Sequence, residues 1–129
     1  MEWRFESAGE IYPSSMRSEI LALLREHGSP EGDFDSAELI YGELIGNAIR
    51  HARGKVVVRL DWTDEFPTLS VCDEERYDPP PICLPGDPWA ESGRGLYIVK
   101  ALAKGFEVKA AESSGSSACA ILPVRRRPV

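Results

Sequence analysis

The longest regular pattern of hydrophobic and polar positions in this chain predicts an amphipathic helix over residues 35–52. Apolar residues recur there at spacings of three and four, which is the repeat of one helix face: Ala37, Ile40, Leu44, Ala48 and Ala52. Asp35 followed by Glu38 resembles a capping box, so we expect Asp35 to accept the first free N–H groups. The neighbouring residues are apolar or small, which predicts a helix that is buried over much of its circumference.

A second stripe of the same helix is polar. Glu43, Asn47 and His51 follow at a spacing of four, and such positions drift by only about 40° around a helix. The plain interpretation is a face turned to solvent. The alternative is a binding site, because a buried Glu or Asn needs a partner. A carboxylate, an amide and an imidazole that project together would suit a metal-bound polyanion.

Shorter patterns predict the remaining elements of the chain. We expect helices at residues 14–27 and 96–104, and strands at residues 2–7, 55–62, 68–73, 106–110 and 118–124. Asp73 falls on the same strand face as Leu69 and Val71, which predicts a carboxylate on the buried side of the sheet. Such a carboxylate is costly unless it binds something, although an Asp that caps a loop is a common alternative.

Residues 74–92 form an acidic stretch with no helix or strand pattern. It holds five of the ten prolines, and a loop of this length in a compact domain is usually functional or disordered. Gly93 and Gly95 follow it and precede the last predicted helix. A Gly-x-Gly before a helix lets the backbone approach a phosphate, which the free N–H groups then bind, although glycines also begin helices for plain turn reasons. The chain has neither a P-loop sequence nor a complete dinucleotide fingerprint.

Composition restricts the class of protein. The length of 129 residues predicts one domain over 1–129, and the net charge of −6 without an internal basic cluster argues against nucleic acid as a ligand. The basic tail at residues 125–129 is expected to be frayed and solvated. Cys72 and Cys119 are interpreted as small core residues, and the odd cysteine count favours a reducing, cytoplasmic setting. We expect no membrane segment, because no apolar run is long enough.

The order of these motifs resembles the GHKL ATPase superfamily, named for gyrase, a heat-shock chaperone, histidine kinases and MutL. The resemblance rests on E-x-x-x-N-x-x-x-H-A in the central helix, on a strand that ends in Val-Cys-Asp, and on G-R-G-L-x-I-V after the long loop. Within the superfamily the chain is most similar to the anti-sigma factor serine/threonine kinases of bacterial partner-switching systems. The resemblance implies an α/β (α+β) fold: a Bergerat-type two-layer sandwich whose mixed, mainly antiparallel sheet carries three helices on one face.

The resemblance also implies ATP and Mg²⁺ as cofactors and gives each motif a role. Asn47 matches the Mg²⁺ ligand of the family, and Glu43 matches the general base that takes a proton from a serine hydroxyl or from water. Asp73 matches the acid that accepts the adenine amino group. The phosphate-binding segment corresponds to Gly93, Arg94, Gly95 and Leu96, and residues 74–92 correspond to the mobile lid. His51 is expected to support its helix by hydrogen bonding.

One departure from the family pattern leaves catalysis open, and three hypotheses for the function follow. Where the family has D-x-G-x-G, this chain has Asp73-Glu74-Glu75-Arg76-Tyr77, which replaces both glycines and adds negative charge near a polyanion. The first hypothesis is a kinase that phosphorylates a STAS-domain antagonist (an anti-anti-sigma protein) and sequesters a sigma factor. The second is a GHKL-fold switch module that grips a partner and transfers nothing. The third, a detached histidine kinase domain, is disfavoured because Glu43 suits a hydroxyl nucleophile. The likeness also suggests a homodimer.

Overall fold

Five strands and three helices make up the regular structure of the computed structural model, which describes residues 1–6, 15–51, 54–73, 91–110 and 116–128. In chain order the elements are β1 (Glu2–Glu6), α1 (Met16–His27), α2 (Phe34–His51), β2 (Lys55–Asp61), β3 (Thr68–Asp73), α3 (Glu91–Leu102), β4 (Gly105–Ala110) and β5 (Ser116–Ile121). Each predicted helix and strand is present, with ends that differ by a few residues. The local patterns of the sequence therefore predicted the elements correctly.

The strands form one sheet in the order β1-β2-β3-β5-β4. All four described pairings are antiparallel, so the sheet that was predicted as mixed is antiparallel throughout these pairings. The register places Trp3, Val58 and Val71 in one row across β1, β2 and β3, and all three are buried. The next row begins with Glu2 and Arg59, which are exposed and form an ion pair. Because side chains alternate along a strand, one face of the sheet forms the core.

The helices cover this apolar face. α1 and α2 contribute fully buried side chains to the same core cluster as the strands: Met16, Ile20, Leu24, Ala37, Ile40, Leu44 and Ala48. Burial of a large aliphatic side chain contributes about 1.5–3 kcal/mol, so this layer supplies much of the stability of the fold. The predicted apolar stripe of α2 is confirmed, except that Ala52 lies outside the described residues. The predicted two-layer α+β sandwich is likewise confirmed.

No helix in the described part of the chain has the length and apolar character that a membrane crossing needs.

The prediction that Asp35 caps α2 is wrong, because Asp33 does so. Asp33 Oδ1 accepts the backbone N–H of Ser36 at 3.0 Å, and Oδ2 accepts the Ser36 hydroxyl at 2.7 Å. The helix starts at Phe34, so Asp35 already lies inside the first turn. Two hydrogen bonds hold the pKa of Asp33 below its usual range, because they favour the charged carboxylate. The bond from the Ser36 hydroxyl has the larger effect, and the bond from the Ser36 N–H has the smaller one.

Cys72 and Cys119 were predicted to be core residues, and this prediction is wrong. Cys72 lies between the buried Val71 and Asp73, and Cys119 lies between the buried Ala118 and Ala120. Strand alternation therefore turns both thiols toward the outer face of the sheet, where they are half-buried. Desolvation raises the pKa of the Cys72 thiol most, and the nearby Cys119 raises it further. Less of the thiol is therefore ionised near neutral pH, which makes Cys72 a weaker nucleophile.

The basic segment Arg125 to Arg127 is fastened to the fold, contrary to the prediction of a frayed tail. The Arg125 carbonyl accepts the N–H of Ser29 at 2.7 Å. The N–H groups of Arg126 and Arg127 donate to the carbonyls of Glu65 and His27, each at 2.7 Å. The side chains of this segment are exposed, but its backbone joins the α1–α2 turn to the β2–β3 turn.

Asp33→Ala should lower the urea midpoint of unfolding clearly more than Asp35→Ala, because Asp33 accepts the Ser36 N–H. Folding lowers the pKa of Asp33, so its contribution to stability is present above the ordinary value of 3.8 and is lost as the pH falls through the folded value. The difference between wild type and Asp33→Ala should therefore shrink in acid. Equal midpoints for the two variants at neutral pH would contradict this assignment of the cap.

Candidate functional site

The polar stripe of α2 is turned into the protein at two of its three positions. Asn47 is only 3% exposed, and Glu43, one turn earlier, is half-buried. The third predicted member, His51, ends the helix, and its side chain lies outside the described residues. Asn47 therefore does not face solvent. A buried amide needs hydrogen-bond partners for its oxygen and its N–H groups.

Gly95 of α3 lies directly against Glu43. A Cβ atom at this position would overlap Glu43 Oε2 and would be 3.2 Å from Glu43 Cδ. The absence of a side chain at Gly95 therefore leaves the space that the carboxylate occupies between α2 and α3. The spacing of motifs did not predict this contact, because it joins two helices that are far apart in the sequence.

The Gly-x-Gly motif lies inside α3, although it was predicted to precede the helix. α3 begins at Glu91, so residues 91–92 of the predicted lid belong to the helix, and Gly93 and Gly95 fall in its first turns. The glycine with a positive φ in the described residues is Gly54, at 98°. Gly95 thus serves α3 by its small size and not by an unusual backbone conformation.

Asp73 stands at the same end of the sheet as this part of α2. It is 4% exposed and faces the core in register with Val56 and Phe5, which confirms its predicted buried position. α2 starts at the opposite end, where the Asp33 N–H donates to the Pro123 carbonyl at 3.0 Å. Asn47 lies 13 residues beyond the first residue of α2, which is about 20 Å along a helix. Asp73 lies five residues from the start of β3, which is about 17 Å along a strand.

Of the remaining predicted residues, the structure describes some and leaves others outside the described part. Leu96 is 2% exposed and packs in the core, so its backbone, and not its side chain, is what it has to offer a ligand. Gly93 is described as part of the α3 backbone, whereas the side chain of Arg94 lies outside the described residues. Most of the predicted lid, residues 74–90, lies outside them as well. The described residues therefore bring together Glu43, Asn47, Asp73 and Gly95 at one end of the molecule.

The donor set of this end fits a magnesium ion that is completed by phosphate and water. Mg²⁺ keeps several waters and takes one or two protein oxygens plus substrate phosphates, so the Asn47 amide oxygen is sufficient as a protein ligand. In the part of the chain that is described, no group of three or more His, Cys, Asp or Glu side chains could hold a metal ion by itself.

One comparison with known proteins gives the family of the chain. A family model described as "Histidine kinase-like ATPase domain" matches residues 7–121. The match covers most of the 129-residue chain and includes α2, β3 and α3. No curated protein gives a significant match to the chain.

The contact between Gly95 and Glu43 can be tested by a double-mutant cycle. Gly95→Ala should stabilise a Glu43→Ala background by about 0.5–1 kcal/mol, the usual gain of alanine over glycine inside a helix. In the wild-type background this gain should be lost, because the new methyl group displaces the Glu43 carboxylate. Urea unfolding of the four proteins measures the coupling, which we expect to be at least about 0.5 kcal/mol.

Gly42→Ala provides the matched control, since a Cβ atom at this exposed position of α2 meets no heavy atom within 4 Å. It should stabilise both backgrounds by the same about 0.5–1 kcal/mol. A Gly95→Ala effect that is equal in the two backgrounds would show that Glu43 does not occupy the space beside Gly95.

Proposed function

Because the chain belongs to the histidine kinase-like ATPase domain family, we propose that it binds ATP with Mg²⁺ and phosphorylates a serine of a STAS-domain protein. Membership of the family implies a nucleotide site, and the serine acceptor is the finer proposal. The observation that carries it is the position of Glu43, one turn from Asn47 and in contact distance of Gly95. A carboxylate at this place is suited to receive a proton.

Glu43 would act as the general base in phosphoryl transfer. The serine oxygen forms a bond to the γ-phosphorus while the bond from that phosphorus to the β,γ-bridging oxygen breaks, and ADP leaves. The hydroxyl proton passes to the Glu43 carboxylate. Gly95 supports this role because it leaves room for the carboxylate between the two helices.

Two buried polar residues would hold the nucleotide. The Asn47 amide oxygen would bind Mg²⁺, which neutralises phosphate charge when it is present. The Asp73 carboxylate, 4% exposed, would accept the adenine amino group.

The partners follow from the resemblance to anti-sigma factor kinases. We propose that the chain sequesters a sigma factor and, in the manner of partner-switching systems, phosphorylates the STAS-domain protein that competes for it. A homodimer is part of the same proposal.

A second candidate function is a partner-binding switch with little or no catalysis. In the sequence, Glu74 and Glu75 directly follow Asp73, where the family has its glycine box, and they would add negative charge near a polyanion. In this case the fold would bind its partner without phosphoryl transfer.

Asp73→Asn should weaken ATP binding by at least about tenfold, because an unsatisfied buried polar group costs about 1–3 kcal/mol. Isothermal titration with ATP, with and without Mg²⁺, measures this loss. Asn47→Ala should reduce the dependence of binding on Mg²⁺. Asp61→Asn is the matched control, since Asp61 is exposed at the far end of β2 and should leave the Kd unchanged. ATP binding by Asp73→Asn that equals the wild type would remove adenine recognition from Asp73.

Glu43→Gln should slow single-turnover phosphoryl transfer to a STAS-domain protein of the source organism by about 100-fold or more, the usual contribution of a general base. The Kd for ATP should change little, because the amide keeps the shape of the side chain. Glu26→Gln on the exposed surface of α1 is the control for the same chemical change. Full transfer by Glu43→Gln would refute the base, whereas no transfer by the wild type despite ATP binding would favour the switch module.

A further inference from the structure

A cavity of about 380 Å³ lies at the end of the sheet that is opposite to Asp73. Its wall combines two cations and one carboxylate with apolar surface and one hydroxyl, and it is lined by Ser29, Glu31, Phe66, Lys104, Pro123 and Arg125, among others. Pockets for small molecules are typically about 300–1,000 Å³ and pair apolar walls with a few polar groups. The size and lining of this cavity fall within that class.

Backbone hydrogen bonds hold the walls of the cavity in place. The Ser29 N–H donates to the Arg125 carbonyl at 2.7 Å, which ties the α1–α2 turn to the segment after β5. The Lys104 N–H donates to the Ile121 carbonyl at 2.8 Å, which fixes the end of α3 to β5. The cavity is therefore formed before any ligand arrives, and binding would not have to order these segments.

The two cations of the wall are held by the same aromatic ring. Lys104 Nζ lies 4.5 Å from the centroid of the Phe66 ring, and Arg125 Cζ lies 5.4 Å from it. Arg125 also contacts Glu65 at 2.8 Å, but a guanidinium has five N–H donors and so retains donors for another acceptor. In the described part of the chain no carboxylate lies within ion-pair distance of Lys104 Nζ. Glu31 is also in the wall, where its carboxylate accepts the Ser29 hydroxyl.

We propose that this cavity binds a small organic anion that carries a carboxylate or phosphate group. Lys104 and Arg125 would bind the oxyanion, with the ammonium as a point charge and the guanidinium as a fork. The rest of the ligand would pack on Phe66 and Pro123. The residues come from four segments that are separate in the sequence, and none of them belongs to the proposed nucleotide site.

The position of the cavity gives such a ligand a route to the other end of the molecule. α3 runs from Gly95, beside Glu43, to its C-terminal end next to Lys104. α2 starts immediately after the Ser29–Gly32 turn and carries Glu43 and Asn47 in its second half. A bound anion would thus contact the turn that precedes α2 and Lys104, which follows the end of α3.

The test is a titration of the nucleotide-free protein with malonate and, separately, with inorganic phosphate at constant ionic strength, followed by backbone amide NMR. Saturable shifts should appear at Ser29, Gly32 and Lys104. Lys104→Met should raise the Kd by at least about tenfold, because a charge-assisted hydrogen bond contributes enough for that change. Lys104→Arg, which keeps the charge, should restore binding. The stronger of the two probes identifies the preferred oxyanion.

Lys100→Met is the matched control, because Lys100 is exposed in the last turn of α3, four residues before Lys104, and does not line the cavity. It should bind as the wild type does. Three outcomes would overturn the proposal. The amide chemical-shift changes could persist unchanged in Lys104→Met, they could appear near all exposed cations, or they could fail to saturate. Nucleotide is absent from every sample, so this result does not depend on the proposed kinase activity.

Discussion

The close approach of α2 to α3 is the constraint on which the candidate site depends. α2 must bury an apolar stripe against the sheet and also keep Glu43 at its contact with α3. Both demands are met because Gly95 leaves room for a carboxylate where a methyl group would overlap it. If this room were filled, Glu43 would have to turn away or the helices would have to separate, and separation would expose core side chains to water.

The sheet and these two helices give the molecule two chemically different ends. One end combines Glu43, Asn47 and Asp73, which suit a nucleotide with its metal ion. The other end combines Lys104 and Arg125 around Phe66, which suits an anion without a metal. α2 and α3 extend from one end toward the other, so the two ends share these helices.

The local distribution of charge in this molecule differs from its net charge. The overall charge is −6, yet the residues after β5 and the end of α3 collect cations at one end of the sheet. At the start of α2, one carboxylate is used as a cap, and its hydrogen bonds to Ser36 keep it ionised. Net charge alone would not have indicated where these few charges are held.

Local periodicity was enough to predict every described element, the buried stripe of α2 and the inward position of Asp73, because these follow from the fixed repeat of helices and strands. The same alternation places Cys72 and Cys119 on the outer face, and the core prediction failed because residue type was weighed above parity. The choice of Asp33 over Asp35 depended on where the first turn begins, which the turn bound to Pro123 decides. The contact of Gly95 with Glu43, the fastening of residues 125–127 and the cavity beside Phe66 were decided by the tertiary structure alone. Each joins segments that are distant in the chain, and no local pattern records which of them will meet.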